Sequence, residues 1–231
     1  MEKIIRAVRA LPRDFHVLII DDGSPDGTAD IVRSLMAAPF AGALFLEERA
    51  GKLGLGTAYI HGFRWALAHG YNFVFEMDAD FSHPPADLLR LDDACNAEGY
   101  DVAVGSRYVS GGKVENWPLD RLVMSRGASL YVRLITWLPV SDATAGFVCY
   151  RRTTLERLNL DKIQFIGYAF QIEMKFAAWQ LGFRIKEVPI TFRDRIEGVS
   201  KMSTHIFREA LLGVLQMRWN AFWNNYEISE K

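Results

Sequence analysis

Cysteine is scarce in this sequence: Cys95 and Cys149 are the only two in 231 residues. They lie far apart and neither has a CxxC partner. The sequence therefore offers no zinc cluster and no disulfide framework, and a reducing compartment fits it best. An excess of one charge is also lacking. A formal net charge of −1 argues against an electropositive surface that coats nucleic acid, so no nucleic-acid partner is expected and any anion must be caught locally. There is no run of about eighteen apolar residues, and no basic segment followed by an apolar one opens the chain. Neither a spanning helix nor a signal peptide is expected, which places the protein in the cytoplasm or peripherally at a membrane. Repeats, low-complexity tracts and linkers are missing too, so 1–231 reads as one domain. GxxxxGK[ST] and GxGxxG both fail to match, and His61, His69 and His83 have no ligand spacing.

What is present is a core and an alternation. Half the residues are hydrophobic, enough for one sizeable core. FHVLIIDD (15–22) reads as a strand, followed by the turn GSPDG and the helical TADIVRSLMAA. ALFLEE (43–48) is a second strand, followed by a Gly-rich loop and the helix TAYIHGFRWALAHG, closed at Gly70. YNFVFEMDAD (71–80) and YDVAVGSRY (100–108) are strands flanking the helix PADLLRLDDACNAEG. This order predicts an α/β fold with a largely parallel sheet, in which ligands gather at the carboxyl ends of the strands. Asp21, Asp22, Asp78, Asp80 and Arg107 all fall just past strand ends. Further on, SGGKVENWP reads as a polar loop, LDRLVMSRGASLYVRLITWLP as one or two helices, FQIEMKFAAWQLGF as another helix, and RIKEVPITFRDR as a strand.

Asp78 and Asp80 are the residues with the clearest chemistry. At i and i+2 on a straight strand they would point to opposite faces, so they converge only if the chain turns, and FSHPP supplies turn residues. Carboxylate oxygens suit Mg²⁺ or Mn²⁺ carrying a diphosphate. The competing reading is that they cap the helix that follows. RAGKLGLGTAYIHG places Lys52 and flexible glycines before a helix, where backbone N–H groups can approach phosphate.

Taken in order, DDGSPDGT, KLGLGTAYIHG, MDADFSHPP, GSRYVSGG, MSRGAS, DATAGFVCYRR, YAFQIEMKF and EVPITFRDRIEGVSK resemble the polyprenol-phosphate (dolichol-phosphate) mannosyltransferases of glycosyltransferase family 2, over roughly residues 15 to 202. The resemblance implies a GT-A fold, GDP-mannose as donor, a polyprenyl phosphate lipid as acceptor, and Mg²⁺ or Mn²⁺. By the same resemblance Ile20 and Asp22 line the guanosine pocket, Ala79 touches the nucleotide through its backbone, and Asp78 and Asp80 hold the metal as a DxD. Ser82 stands where many relatives have a glutamine that also reaches the metal. Arg107, Arg121 and Ser125 match the acceptor-phosphate cradle, with Arg107 and Asp80 as the catalytic pair. Arg195 and Lys201 match a loop that closes over the donor diphosphate. Two alternatives stay open: another hexose, such as glucose from UDP-glucose, and a non-catalytic sugar-nucleotide-binding relative.

The two ends of the chain complete the expectations. LQMRW falls one residue short of the QxxRW of processive relatives and is rejected as a match. Ile206, Phe207, Ala210, Leu211, Val214 and Leu215, followed by Trp219, Phe222 and Trp223, make 203–231 an amphipathic helical tail. It reads either as a packed face or as an interfacial helix at a membrane surface. Peripheral attachment at the cytoplasmic face is expected, and any membrane-anchoring partner is left open. At the other end, relatives begin with a strand that ends in a PTYNE-like turn, whereas MEKIIRAVRALP resembles the helix after it. The sheet is therefore expected to lack its first strand.

Overall fold

The computed structural model describes residues 1–167, 169–194, 211–221, 223 and 226–228, and the backbone alone of 204–210. The first helix, α1 (Glu2–Arg9), is followed by β1 (Val17–Asp21), α2 (Thr28–Ala37), β2 (Leu44–Glu48) and α3 (Leu55–Ala68). α3 is closed by Gly70 in the left-handed region at φ +80°, where a side chain would be strained. β3 (Phe73–Glu76), α4 (Leu88–Asn96) and β4 (Val102–Ser106) complete the alternation read from the sequence.

The second half departs from that pattern. SGGKVENWP contains a short strand, β5 (Lys113–Glu115), and one unbroken helix follows it, α5 (Leu119–Thr136). FVCYRR is a strand, β6 (Val148–Arg151), leading into α6 (Arg152–Arg157) and α7 (Ala169–Gln180). RIKEVPITFRDR divides at Ile190 into β7 (Ile185–Pro189) and β8 (Thr191–Arg193), and α8 (Thr204–Asn220) follows. The main sheet runs β3-β6-β4-β7. In it β6 lies antiparallel to β3 and β4, while β4 and β7 are parallel. The sheet is mixed because β6 enters between strands that run the other way. β4 is buried along its whole length, as a central strand covered on both faces should be.

β1 and β2 pair in parallel, with Val17 opposite Leu44 and Asp21 opposite Glu48. Among the described residues this pair shares no ladder with the four-stranded sheet. Behind the main sheet, α7 is buried from Ala169 to Ala178, including Gln171, Glu173 and Lys175. A helix buried all round marks the centre of the core. Cys95 and Cys149 are buried free thiols.

α8 packs inward through Val214 and Met217. Leu215, Trp219 and Trp223, which the sequence also allows as a packed face, are exposed instead. Ile206, Phe207 and Ala210 lie where only the backbone is described, and Phe222 lies outside the described residues. The chain then returns to the domain. Tyr226 is buried and its hydroxyl donates to Glu173 Oε1 at 3.2 Å.

Candidate active site

Past the carboxyl end of β3 the chain turns within the stretch that carries the two aspartates. Phe81 adopts φ +63°, an uncommon conformation for a residue with a side chain. The Ser82 N–H donates to Asp80 Oδ1 at 3.0 Å. This bond folds the aspartate back over its own backbone. The Asp78 N–H points to His83 Nδ1 at 3.3 Å. His83 is buried, stacked on Phe147 at 5.0 Å and edge-on to Phe192. Burial, helped by Arg107, lowers its pKa to about 4, so a neutral ring accepts the Asp78 N–H. The turn thus rests on Phe81 and a core histidine, while the prolines open the helical turn Pro85–Asp87.

Ser82 is only 1 % exposed, and its Oγ is buried without a hydrogen-bond partner. Asp78 and Asp80 form an all-oxygen pair on one turn, a donor set that fits Mg²⁺ or Mn²⁺. Among the described residues no group of three or more His, Cys, Asp or Glu side chains is placed to hold a metal.

Arg107 follows β4 directly and is 8 % exposed. Its Nε donates to Asp142 Oδ2 at 2.7 Å, and its Nη2 donates to Asp142 Oδ1 at 2.6 Å and to Thr144 Oγ1 at 2.9 Å. Asp142 is itself held at the backbone, where Ser141 and Asp142 N–H groups donate to Glu187. The indole of Trp117 meets two guanidinium groups, with its ring centre 5.4 Å from Arg107 Cζ and 4.0 Å from Arg121 Cζ. Arg121 also pairs with Asp194 at 2.9 Å, and Ser125 Oγ accepts from the Tyr108 hydroxyl at 2.7 Å.

Asp78, Arg107, Arg121 and Ser125 line one cavity of about 210 Å³, whose apolar wall includes Met124, Tyr131 and Leu211. Ile20, Ala79 and again Asp78 line a second cavity of about 620 Å³. Asp78 stands on the boundary between the two. Asp80, Ser82 and Asp22 line neither. Arg195 and Lys201 lie outside the described residues.

Asp22 has a partner that sequence reasoning missed. Arg49 Nε and Nη2 donate to its two oxygens at 2.6 and 2.7 Å. The β1–β2 register explains the pair: Asp21 opposite Glu48 puts the next residues, Asp22 and Arg49, side by side. Both follow a strand directly, and that was the available signal. Asp21 turns inward, and hydrogen bonds from Ser24, chiefly, hold its carboxyl below the usual range. Gly56, in the first turn of α3, is committed to packing. The Gly56 N–H donates to Ile166 O at 2.8 Å, and a Cβ there would meet Phe170 at 2.7 Å.

Comparison with known proteins defines the class. Residues 1–158 match the family described as glycosyl transferase family 2, and the chain belongs to that family. It is 47 % identical over 201 residues to a polyprenol monophosphomannose synthase of Mycolicibacterium smegmatis, covering 87 % of this chain and 75 % of the relative. It is 46 % identical over 207 residues to an undecaprenyl-phosphate mannosyltransferase of Micrococcus luteus, covering 90 % and 84 %. Among solved structures it is similar to a mannosyltransferase from Pyrobaculum calidifontis in complex with GDP-Man and Mn²⁺, with a TM-score of 0.59 at 20 % identity. That match covers 98 % of this chain but 61 % of the other, less than two thirds. Glucosyl-3-phosphoglycerate synthase from Mycobacterium tuberculosis, in complex with Mn²⁺, UDP and glucosyl-3-phosphoglycerate, gives a TM-score of 0.59 at 16 % identity, over 89 % of this chain and 68 % of the other. These likenesses show the GT-A fold.

Proposed function

We propose that this protein transfers mannose from GDP-mannose to a polyprenyl (dolichyl-type) phosphate, with a divalent metal and with inversion. The observation that carries the reading is the 210 Å³ cavity, which joins a carboxylate, Asp78, to Arg107, Arg121 and Ser125 inside apolar walls. Such a cavity suits an anionic headgroup on a hydrocarbon chain. The names of the two relatives support the acceptor class and the sugar. The GDP-Man and Mn²⁺ of the Pyrobaculum structure are consistent with the donor and the metal.

A lipid monophosphate is already anionic near neutral pH, since its second pKa is near 6, so the attacking oxygen needs no general base. It needs positioning. Arg107 and Arg121, fixed by Asp142, Asp194 and the Trp117 ring, would hold the phosphate for in-line attack at the anomeric carbon. Asp78 and Asp80 would hold Mg²⁺ or Mn²⁺, which supplies positive charge for the departing diphosphate. Ile20, Asp22 and Ala79 would line the nucleotide side.

The acceptor's hydrocarbon favours work at a membrane surface, here proposed as its cytoplasmic face. α5 exposes Leu119, Val123, Leu130 and Leu134 on one stripe, continued by Trp137 just past its end, and α8 exposes Leu212, Leu215 and Trp219 on another, with Trp223 exposed beyond its end. The helices touch, with the Tyr131 hydroxyl donating to Leu211 O at 3.0 Å and Arg218 over Trp137 at 4.6 Å. Both border the cavity. Among the described residues no helix is long and apolar enough to cross a membrane, so the stripes would lie in the interface. Calorimetric titration with GDP and with UDP, each with and without Mn²⁺, tests the donor. Metal-dependent binding of GDP supports the reading, and preference for UDP overturns the choice of mannose donor.

A further inference from the structure

Gln171 stands in the first turn of α7 and is only 4 % exposed. It lines the 210 Å³ cavity together with Asp78 and Arg107. Its Nε2 donates to Glu76 Oε2, on the last residue of β3 and two residues before Asp78. Its Oε1 is buried and, among the described residues, has no hydrogen-bond partner. A buried acceptor left unpaired is costly. The amide is also firmly held. Glu76 is buried and lies opposite Val148 in the β3–β6 ladder. One turn further along α7, Lys175 Nζ donates to Ala145 O at 2.7 Å. That bond ties the helix to the segment carrying Thr144 and Gly146, which also line the cavity. With Nε2 committed to Glu76, the amide oxygen is the polar atom of Gln171 left for an occupant of the cavity.

We propose that Gln171 Oε1 accepts a hydrogen bond from a hydroxyl of the hexose being transferred, and that Glu76 is the positioning residue that sets the direction of the amide. The inference rests on the proposed function, and chemistry selects the contact. An amide oxygen needs a donor. The phosphate of the lipid is ionised near neutral pH and its hydrocarbon carries no polar hydrogen, so the lipid offers none. The diphosphate of the sugar nucleotide offers none either. The hydroxyls and N–H groups of the nucleoside belong with Ile20 and Ala79, which line the other cavity. What remains is the sugar. It must lie between a metal at Asp78 and a phosphate at Arg107, and both residues line the same cavity as Gln171. A buried acceptor that only a substrate hydroxyl satisfies discriminates strongly against analogues lacking that hydroxyl. Gln171 is thereby a specificity-determining residue for the sugar.

The test measures transfer to polyprenyl phosphate from GDP-mannose and from each monodeoxy form of its sugar, by the parent and by Gln171→Leu. The parent is expected to lose about a hundredfold or more in kcat/KM with one of the deoxy donors. Gln171→Leu is expected to lose about tenfold or more with GDP-mannose but less than about threefold with that same deoxy donor. Its GDP affinity with Mn²⁺, read by calorimetry, is expected to stay unchanged, since GDP carries no hexose. Glu76→Met combined with Gln171→Met removes both partners of the buried bond, so neither is left unsatisfied. This second variant is expected to keep a thermal midpoint near the parent's and to show the same pattern, which preserves the test where Gln171→Leu fails to fold. Four results overturn the proposal: a parent indifferent to every deoxygenation, an equal loss with every donor in the variants, no loss with GDP-mannose, or a fall in Mn²⁺-dependent GDP affinity in both variants. The last would make the amide a support of the metal turn. Failure of the proposed function reads differently. A parent that uses UDP-glucose corrects the donor, and the same comparison on deoxy forms of that sugar then decides the role of Gln171. A parent that transfers neither sugar overturns both.

Discussion

Arg107 commits its planar fork to Asp142, with Nε donating to Oδ2 at 2.7 Å and Nη2 to Oδ1 at 2.6 Å in a buried pair. A phosphate in the neighbouring cavity would then meet an arginine whose orientation is already fixed. In this structure that edge of the guanidinium is taken by the Asp142 carboxylate. Nη1 is the guanidinium nitrogen not engaged by Asp142 or Thr144, and Arg121, which shares the Trp117 ring, would supply a second contact. Fixing a cation in advance lowers the cost of ordering it when the substrate binds.

Arg107→Lys keeps the charge and loses the planar fork. The expected result is a fall of about tenfold or more in kcat/KM for polyprenyl phosphate, about 1.4 kcal/mol, with GDP affinity by calorimetry nearly unchanged. Loss of GDP affinity with normal acceptor kinetics would move Arg107 to the donor side.

Asp80→Asn replaces a carboxylate by a neutral amide on the turn that Phe81 shapes. The amide oxygen can still accept from the Ser82 N–H, so the thermal midpoint is expected to hold. The gain in GDP affinity on adding Mn²⁺ is expected to fall about tenfold. An unchanged metal effect in the folded variant would remove Asp80 from the metal site.

These two sites differ in how legible they were. The strand ends carrying Asp22, Asp78 and Arg107 were readable because β-branched runs stop at charged residues, and the alternation with helices fixed where those ends gather. β6 was not readable as a strand. Its neighbours in the sheet are distant in sequence, and VCYR is too short to show a period. The Arg107–Asp142 pair was hidden for the same reason, since 35 residues separate its partners and no local pattern joins them. Asp22–Arg49 was within reach once β1 and β2 were taken as parallel neighbours.

Glu173 connects the returning chain end to the loop before α7. Its carboxylate accepts the N–H groups of Gln164 and Phe165 at 2.8 and 2.9 Å and the Tyr226 hydroxyl. Burial raises its pKa despite these bonds. The folded state therefore holds the proton to higher pH than the unfolded chain does. Stability from this group is present in full below the unfolded value near 4.5 and is lost as pH rises through the higher folded value. Glu173→Gln is expected to remove that slope in urea midpoints measured across the window. A slope identical to that of the parent would contradict the assignment.

Leu134→Glu combined with Trp219→Glu places a charge on each exposed stripe without touching the cavity wall. Sedimentation with vesicles of mixed neutral and anionic lipid is expected to show binding reduced about tenfold or more, while GDP affinity stays constant. Equal vesicle binding by parent and variant would show that the stripes do not face the membrane.

The most direct measurement of the central claim is transfer of labelled sugar to polyprenyl phosphate, with GDP-mannose and UDP-glucose offered separately, with and without Mn²⁺. Chloroform-extractable label from GDP-mannose alone, dependent on the metal and abolished by chelation, is the expected result. Label from UDP-glucose instead, or no lipid-linked label from either donor in folded protein that binds GDP, would contradict it.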